Sequence, residues 1–148
     1  RISMLRLSKK VEYGILAMQY MASHPGNLFT AKSLSENLHL SYDFLAKTMQ
    51  KLMRADLLDS QQGTKGGYFL ARPAETIKLM DILETLDSRP ELVDCVSNDK
   101  DCEKKDKCHL HGPILMLQKK VEAVFINTTL LDIAEHNLIE IETKNHRG

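Results

Sequence analysis

Apolar residues recur at helical spacing through the first third of the chain. Val11, Ile15, Met18 and Ala22 follow a period of roughly 3.6 residues behind Ser8, a residue type that caps helix N-termini, and the pattern ends near His24-Pro25-Gly26. Thr30 opens a shorter helix with Ala31, Leu34 and Leu38 on one face. After a break at His39-Leu40, Ser41 caps a third helix that turns Leu45, Met49, Leu52 and Met53 inward. Two short helices joined by about three residues, the second longer and well capped, predict a helix-turn-helix.

The period then changes. LLDSQQ and YFLAR read as short strands on either side of Gly63-Thr64-Lys65-Gly66-Gly67, a glycine-rich turn of hairpin type. A helix-turn-helix followed at once by a hairpin is a winged-helix arrangement. Arg72-Pro73 ends the wing, and Thr76 to Leu86 predicts a further amphipathic helix with Ile77, Met80, Ile82, Leu83 and Leu86 on its apolar side, broken by Ser88-Arg89-Pro90. Gly112-Pro113 starts the longest helix, proline being favoured at the first helical position.

Within that helix Ile114, Leu117, Val121, Val124, Thr128 and Leu131 are spaced three, four, three, four, three. This is an a/d seam of about two and a half heptads. Leu115, Phe125 and Leu130 lie off the seam, so the helix has apolar surface both for its own domain and for a second copy. A homodimer built on it would set two recognition helices about one DNA turn apart, matching a near-palindromic operator. The expected fold is mostly α with a small β wing: a winged helix-turn-helix domain over residues 4–89, a polar loop over 90–112, a dimerisation helix over 113–135 and a tail over 136–148.

With 148 residues and 43% hydrophobic content the chain builds one ordinary core. No apolar run approaches a membrane span, so the expectation is a cytoplasmic protein without a membrane partner. The net charge of zero conceals an asymmetry. Residues 1–72 hold ten Lys and Arg against five Asp and Glu, and residues 73–148 hold ten against fifteen. A basic first half points to a polyanion partner.

The third helix concentrates that charge. Lys47, Lys51 and Arg54 fall at i, i+4 and i+7, opposite its apolar stripe, with Ser41, Tyr42 and Asp43 at its N-terminus, where a recognition helix presents side chains to the major groove of double-stranded DNA. The plainer alternative is an amphipathic surface helix with solvated lysines. The wing would bring Gln61, Gln62, Lys65 and Arg72, and with them Tyr68, to the phosphate backbone or the minor groove. Its glycines are no nucleotide cradle, because the Lys-Ser/Thr of a P-loop is missing and a strand follows. There is no nucleophile-base constellation and no pair of catalytic carboxylates, so an enzyme is not expected.

Candidate chemistry sits in CVSNDKDCEKKDKCHLH, residues 95–111, which holds all three cysteines, Cys95, Cys102 and Cys108, with His109 and His111. An odd count speaks against disulfides, and no secretory signal is evident. The tight pair usual for structural zinc is absent, and longer spacing with three thiolates suits an iron-sulfur cluster at least as well. Redox cysteines and an inert polar loop are the other readings.

With these parts in order, the chain resembles the IscR/NsrR/RirA family of winged-helix, iron-sulfur-dependent transcription regulators over about residues 4–135. The resemblance rests on MLRLSKKVEYGILAM, LSYDFLAKTMQKLMRADLL, GTKGGYFLARP and three cysteines ahead of a long helix. It implies a homodimeric, cytoplasmic DNA-binding protein whose iron-sulfur cluster (2Fe-2S or 4Fe-4S) reports on iron, nitric oxide or redox state. Cys95, Cys102 and Cys108 match the cluster cysteines, making residues 90–112 a cluster-binding loop, although six residues separate the first pair where many relatives have five. Two branches of the family differ in the fourth ligand. One implies Glu12 of the partner subunit, the other His111, with His109 a weaker third. A thiol redox switch or a zinc site on the same DNA-binding module is the alternative.

Overall fold

Local capping chemistry sets the helix starts. The computed structural model describes residues 7–87, 90 and 111–136. Helix α1 (Lys9–Ala22) begins where the Val11 N–H donates to Ser8 Oγ at 3.4 Å, and it buries Val11, Gly14, Ala17, Met18 and Met21. Helix α2 (Ala31–Leu38) opens on a reciprocal capping box: the Ser33 N–H donates to Thr30 Oγ1 at 3.0 Å and the Thr30 N–H to Ser33 Oγ at 3.1 Å. His39, in the left-handed region at φ 55°, closes it.

Helix α3 (Tyr42–Arg54) buries Leu45, Thr48, Met49 and Leu52, with Met53 half-buried. The expected side-chain cap does not form. Ser41 occupies the N-cap position, but its hydroxyl makes no capping hydrogen bond; its carbonyl accepts from the Leu45 N–H at 3.0 Å. Asp43 in the first turn complements the positive end of the helix dipole in its place.

Strands β1 (Leu58–Gln61) and β2 (Gly67–Leu70) pair antiparallel, Leu58 opposite Leu70 and Gln61 opposite Gly67. Gly63, at φ 121°, turns the chain through a region closed to most side chains. A side chain at Gly67 would begin 2.9 Å from the Phe29 nitrogen, because the loop after α1 lies directly on β2. There the Phe29 N–H donates to the Tyr68 carbonyl at 3.0 Å and the Tyr68 N–H to the Phe29 carbonyl at 2.7 Å. The wing is thereby anchored to the α1–α2 connection, a contact the alternation pattern did not contain.

Two expectations are corrected. The helix expected from Thr76 starts at Leu79: Pro73 leads into a 3-10 turn (Ala74–Thr76), Ile77 is extended and fully buried, and only then does α4 (Leu79–Leu86) begin. The reason is a pairing from far along the chain. The Leu79 N–H donates to the Thr128 carbonyl at 2.8 Å and the Leu130 N–H to the Ile77 carbonyl at 2.9 Å.

The same pairing breaks the long helix. Helix α5 (His111–Asn127) ends before Thr128, and a separate helix α6 (130–136) follows. The Asp132 N–H donates to Thr129 Oγ1 at 3.2 Å and the Thr129 N–H to Asp132 Oδ2 at 2.9 Å, a new cap in the middle of the expected seam. Leu130 and Ala134 of α6 are buried, and Gln19 Nε2 donates to the Ile133 carbonyl at 3.1 Å, fastening α6 to α1. On α5 the seam residues Leu117 and Val124 stay exposed, Val124 at 61%, beside exposed Met116 and Ile126.

One core joins these elements. Met18, Leu34, Leu45, Met49, Leu52, Leu58, Ile77, Ile82 and Leu130 are almost wholly buried in a single cluster. The expected Ser88-Arg89 break, the cysteine segment up to residue 110 and the LIEIET tail lie outside the described residues.

Candidate nucleic-acid interface

The buried stripe of α3 leaves its other side to solvent. Lys47 and Arg54 are exposed, and Lys51 is half-buried. Ser41, Tyr42 and Asp43 are exposed at the N-terminus, Tyr42 at 53%. With its hydroxyl unused in capping, Ser41 offers a donor and two acceptor lone pairs to an approaching base edge or phosphate. On the hairpin turn Gln62 and Lys65 are exposed. Tyr68 stands apart from that rim: it is half-buried, packs against the core and carries the backbone pairing with Phe29.

Lys47 and Lys51 line a pocket of about 310 Å³ with Phe44, Thr48, Leu86 and, from α1, Lys10. Tyr13 meets Phe44 edge to face, ring centroids 4.9 Å apart, which fixes α1 against α3 just beside it. Periodicity along α3 could not show Lys10, which belongs to another helix. A larger cavity of about 680 Å³ lies elsewhere, between the α1–α2 loop, β2, residues 71–75 and Leu131; of the expected wing residues, Gln61 and Arg72 line it.

Of the expected sensor residues, Glu12 alone has a described side chain; Cys95, Cys102, Cys108 and His109 lie outside the described residues, as does the His111 side chain. Glu12 sits in the first turn of α1 with its side chain 44% exposed and Oε2 3.2 Å from Lys9 Nζ. An exposed ion pair of this kind contributes little, so the carboxylate is available to a stronger partner. In donor chemistry, three thiols with the partly exposed Glu12 carboxylate or an imidazole fit an iron-sulfur cluster. Among the described residues no group of three or more His, Cys, Asp and Glu side chains could hold a metal ion. Nor is any helix among them long and apolar enough to cross a membrane.

Residues 7–136 match the Rrf2 family, described as iron-dependent transcriptional regulator. The chain is 30% identical over 122 residues to protein aau3 of Rhizobium meliloti, covering 82% of this chain and 77% of that one. Its structure is similar to that of CymR, the global cysteine regulator of B. subtilis, with a TM-score of 0.73, 28% identity and 89% and 98% of the two chains covered. It is also similar to IscR of T. potens, with a TM-score of 0.69, 29% identity and 90% and 88% covered.

Proposed function

The chain belongs to the Rrf2 family of winged-helix transcription regulators, and from that premise we propose that it binds a near-palindromic operator as a homodimer and reads a chemical signal through its three cysteines. As a family member it is a DNA-binding regulator and not an enzyme. The observation that carries the proposal is the disposition of α3, apolar on Leu45, Met49 and Leu52 and cationic on Lys47, Lys51 and Arg54. Ser41, Tyr42 and Asp43 would meet base edges, while the lysines, Arg54, Gln62 and Lys65 would hold the phosphate backbone. Exposed Met116, Leu117, Val124 and Ile126 supply the apolar surface for the second copy.

Cys95, Cys102 and Cys108 would hold an iron-sulfur cluster as thiolates, with Glu12 of the partner subunit as fourth ligand and His111 as the alternative. When bound, such a cluster supplies a centre whose integrity depends on iron, oxidants and nitric oxide. An oxygen or nitrogen donor in the fourth position is the weaker link in that set. Committing Glu12 to a ligand also takes it from Lys9, on the helix that packs beside α3. Sensing and DNA binding thus share α1. The likeness to a global cysteine regulator supports a second reading, in which the same thiols form a redox switch or hold zinc.

An anaerobic visible and Mössbauer spectrum of the wild type beside Glu12→Ala and His111→Ala, with iron, sulfide and zinc quantified, separates these readings. The expected result is bound iron and sulfide in the wild type, lost or spectrally altered in Glu12→Ala and retained in His111→Ala. The reverse pattern would move the fourth ligand to His111. Zinc alone, or no metal, would transfer the proposal to the thiol reading.

A further inference from the structure

We propose that Lys10, on α1, completes a cationic cradle with Lys47 and Lys51 that seats one phosphate of the DNA backbone beside the recognition helix. The inference rests on reading α3 as the DNA-facing helix.

The three lysines come from two helices and line one pocket of about 310 Å³. Among the described residues its remaining wall is Phe44, Thr48 and Leu86, without a carboxylate. Among the described residues Lys9 pairs with Glu12 and Arg72 with Asp81, while no ion pair engages Lys10, Lys47 or Lys51. Like charges gathered well within a Debye length of about 10 Å repel one another, and the arrangement becomes favourable once an anion enters. A phosphodiester suits it: lysine binds phosphate as a point charge with rotatable donors and needs no planar fork. The apolar floor of Phe44 and Leu86 supports the lysine stems while the ammonium heads reach the rim.

Geometry gives Lys10 a part that a fourth cation on α3 could not play. Contacts from one helix leave the whole domain free to roll on the duplex about that helix's axis; a phosphate gripped from α1 and α3 together fixes the roll. Lys10 is thus a positioning contact that sets register and carries no base preference. The competing occupant is the acidic segment of a second copy, residues 91–106, which holds six Asp and Glu.

The test is a salt titration of binding to a duplex selected from a random pool by the wild-type protein, for wild type, Lys10→Ala, Lys10→Arg, Lys47→Ala and, as a remote control, Lys120→Ala. Each phosphate contact contributes about 0.9 to the log–log salt slope, so Lys10→Ala is expected to shallow it by about two in a dimer. Affinity at about 0.15 M salt should fall roughly ten- to thirtyfold. Lys10→Arg should restore both, and Lys120→Ala should match the wild type. A shallower slope for Lys47→Ala but not for Lys10→Ala would overturn the cradle and leave the recognition helix standing. No change in either would overturn both. A Lys10→Ala protein with an unchanged slope and a weakened dimer in sedimentation would hand the pocket to the acidic segment.

Discussion

Replacing Lys47 and Lys51 together with alanine is expected to weaken operator binding about thirtyfold or more at roughly 0.15 M salt and to shallow the salt slope by about 1.8, the cradled phosphate being lost from each protomer of a dimer. Lys47 is exposed and Lys51 half-buried, both on the side of α3 away from Leu45, Met49 and Leu52, so the variant should keep its circular dichroism spectrum and lose at most a few degrees of melting temperature. Sequence preference should survive, because phosphate contacts position the protein and base contacts near Ser41 to Asp43 discriminate. Fluorescence anisotropy against the operator and a scrambled duplex, at several salt concentrations, reads all three quantities. Unchanged affinity would mean that another face carries the DNA.

Leu130→Ala is expected to lower the unfolding free energy by about 2–5 kcal/mol. That corresponds to roughly 5–15 °C in melting temperature for a chain of this size. Leu130 is fully buried in the main core, and its N–H closes the hydrogen bond to Ile77 that ties the C-terminal helices to the winged domain. The cavity would open at this junction, where α6 meets Ile77 and the start of α4. Differential scanning calorimetry of the cluster-free protein reads the loss without a contribution from bound metal. A change under about 1 kcal/mol would show that the 128–130 segment is not part of the cooperative core.

Much of the fold was legible because local and global signals agreed. Thr30, read as a helix start, caps α2, and the helical period of Leu45, Met49 and Leu52 survives into the burial of α3. Where they disagreed, pairing across the chain decided. Thr129 and Asp132 carry a cap signal of their own, which a heptad seam running through Thr128 and Leu131 passes over. In the folded chain the hydrogen bonds from residues 128–130 to Ile77 and Leu79 outweigh helix continuity, and they also delay the start of α4.

The candidate site divides in the same way. The cationic stripe of α3 could be read from one helix, whereas Lys10 enters only when α1 packs against α3. Tyr68 looked like a wing-rim residue by position; its half-buried ring and its pairing with Phe29 belong to the scaffold that presents Gln62 and Lys65. Ser41 was read as a cap from residue type and stands at the cap position without making the bond.

The central claim is that the chemistry of Cys95, Cys102 and Cys108 governs a winged helix that reads DNA. Its most direct measurement is the affinity of one operator duplex, at fixed salt and without oxygen, for iron- and sulfide-loaded wild type and for the Cys95→Ala/Cys102→Ala/Cys108→Ala variant. A coupling free energy of ordinary size predicts dissociation constants at least about tenfold apart, with both proteins folded and dimeric. Equal affinities would contradict the claim and leave a DNA-binding protein whose cysteines have no part in its regulation.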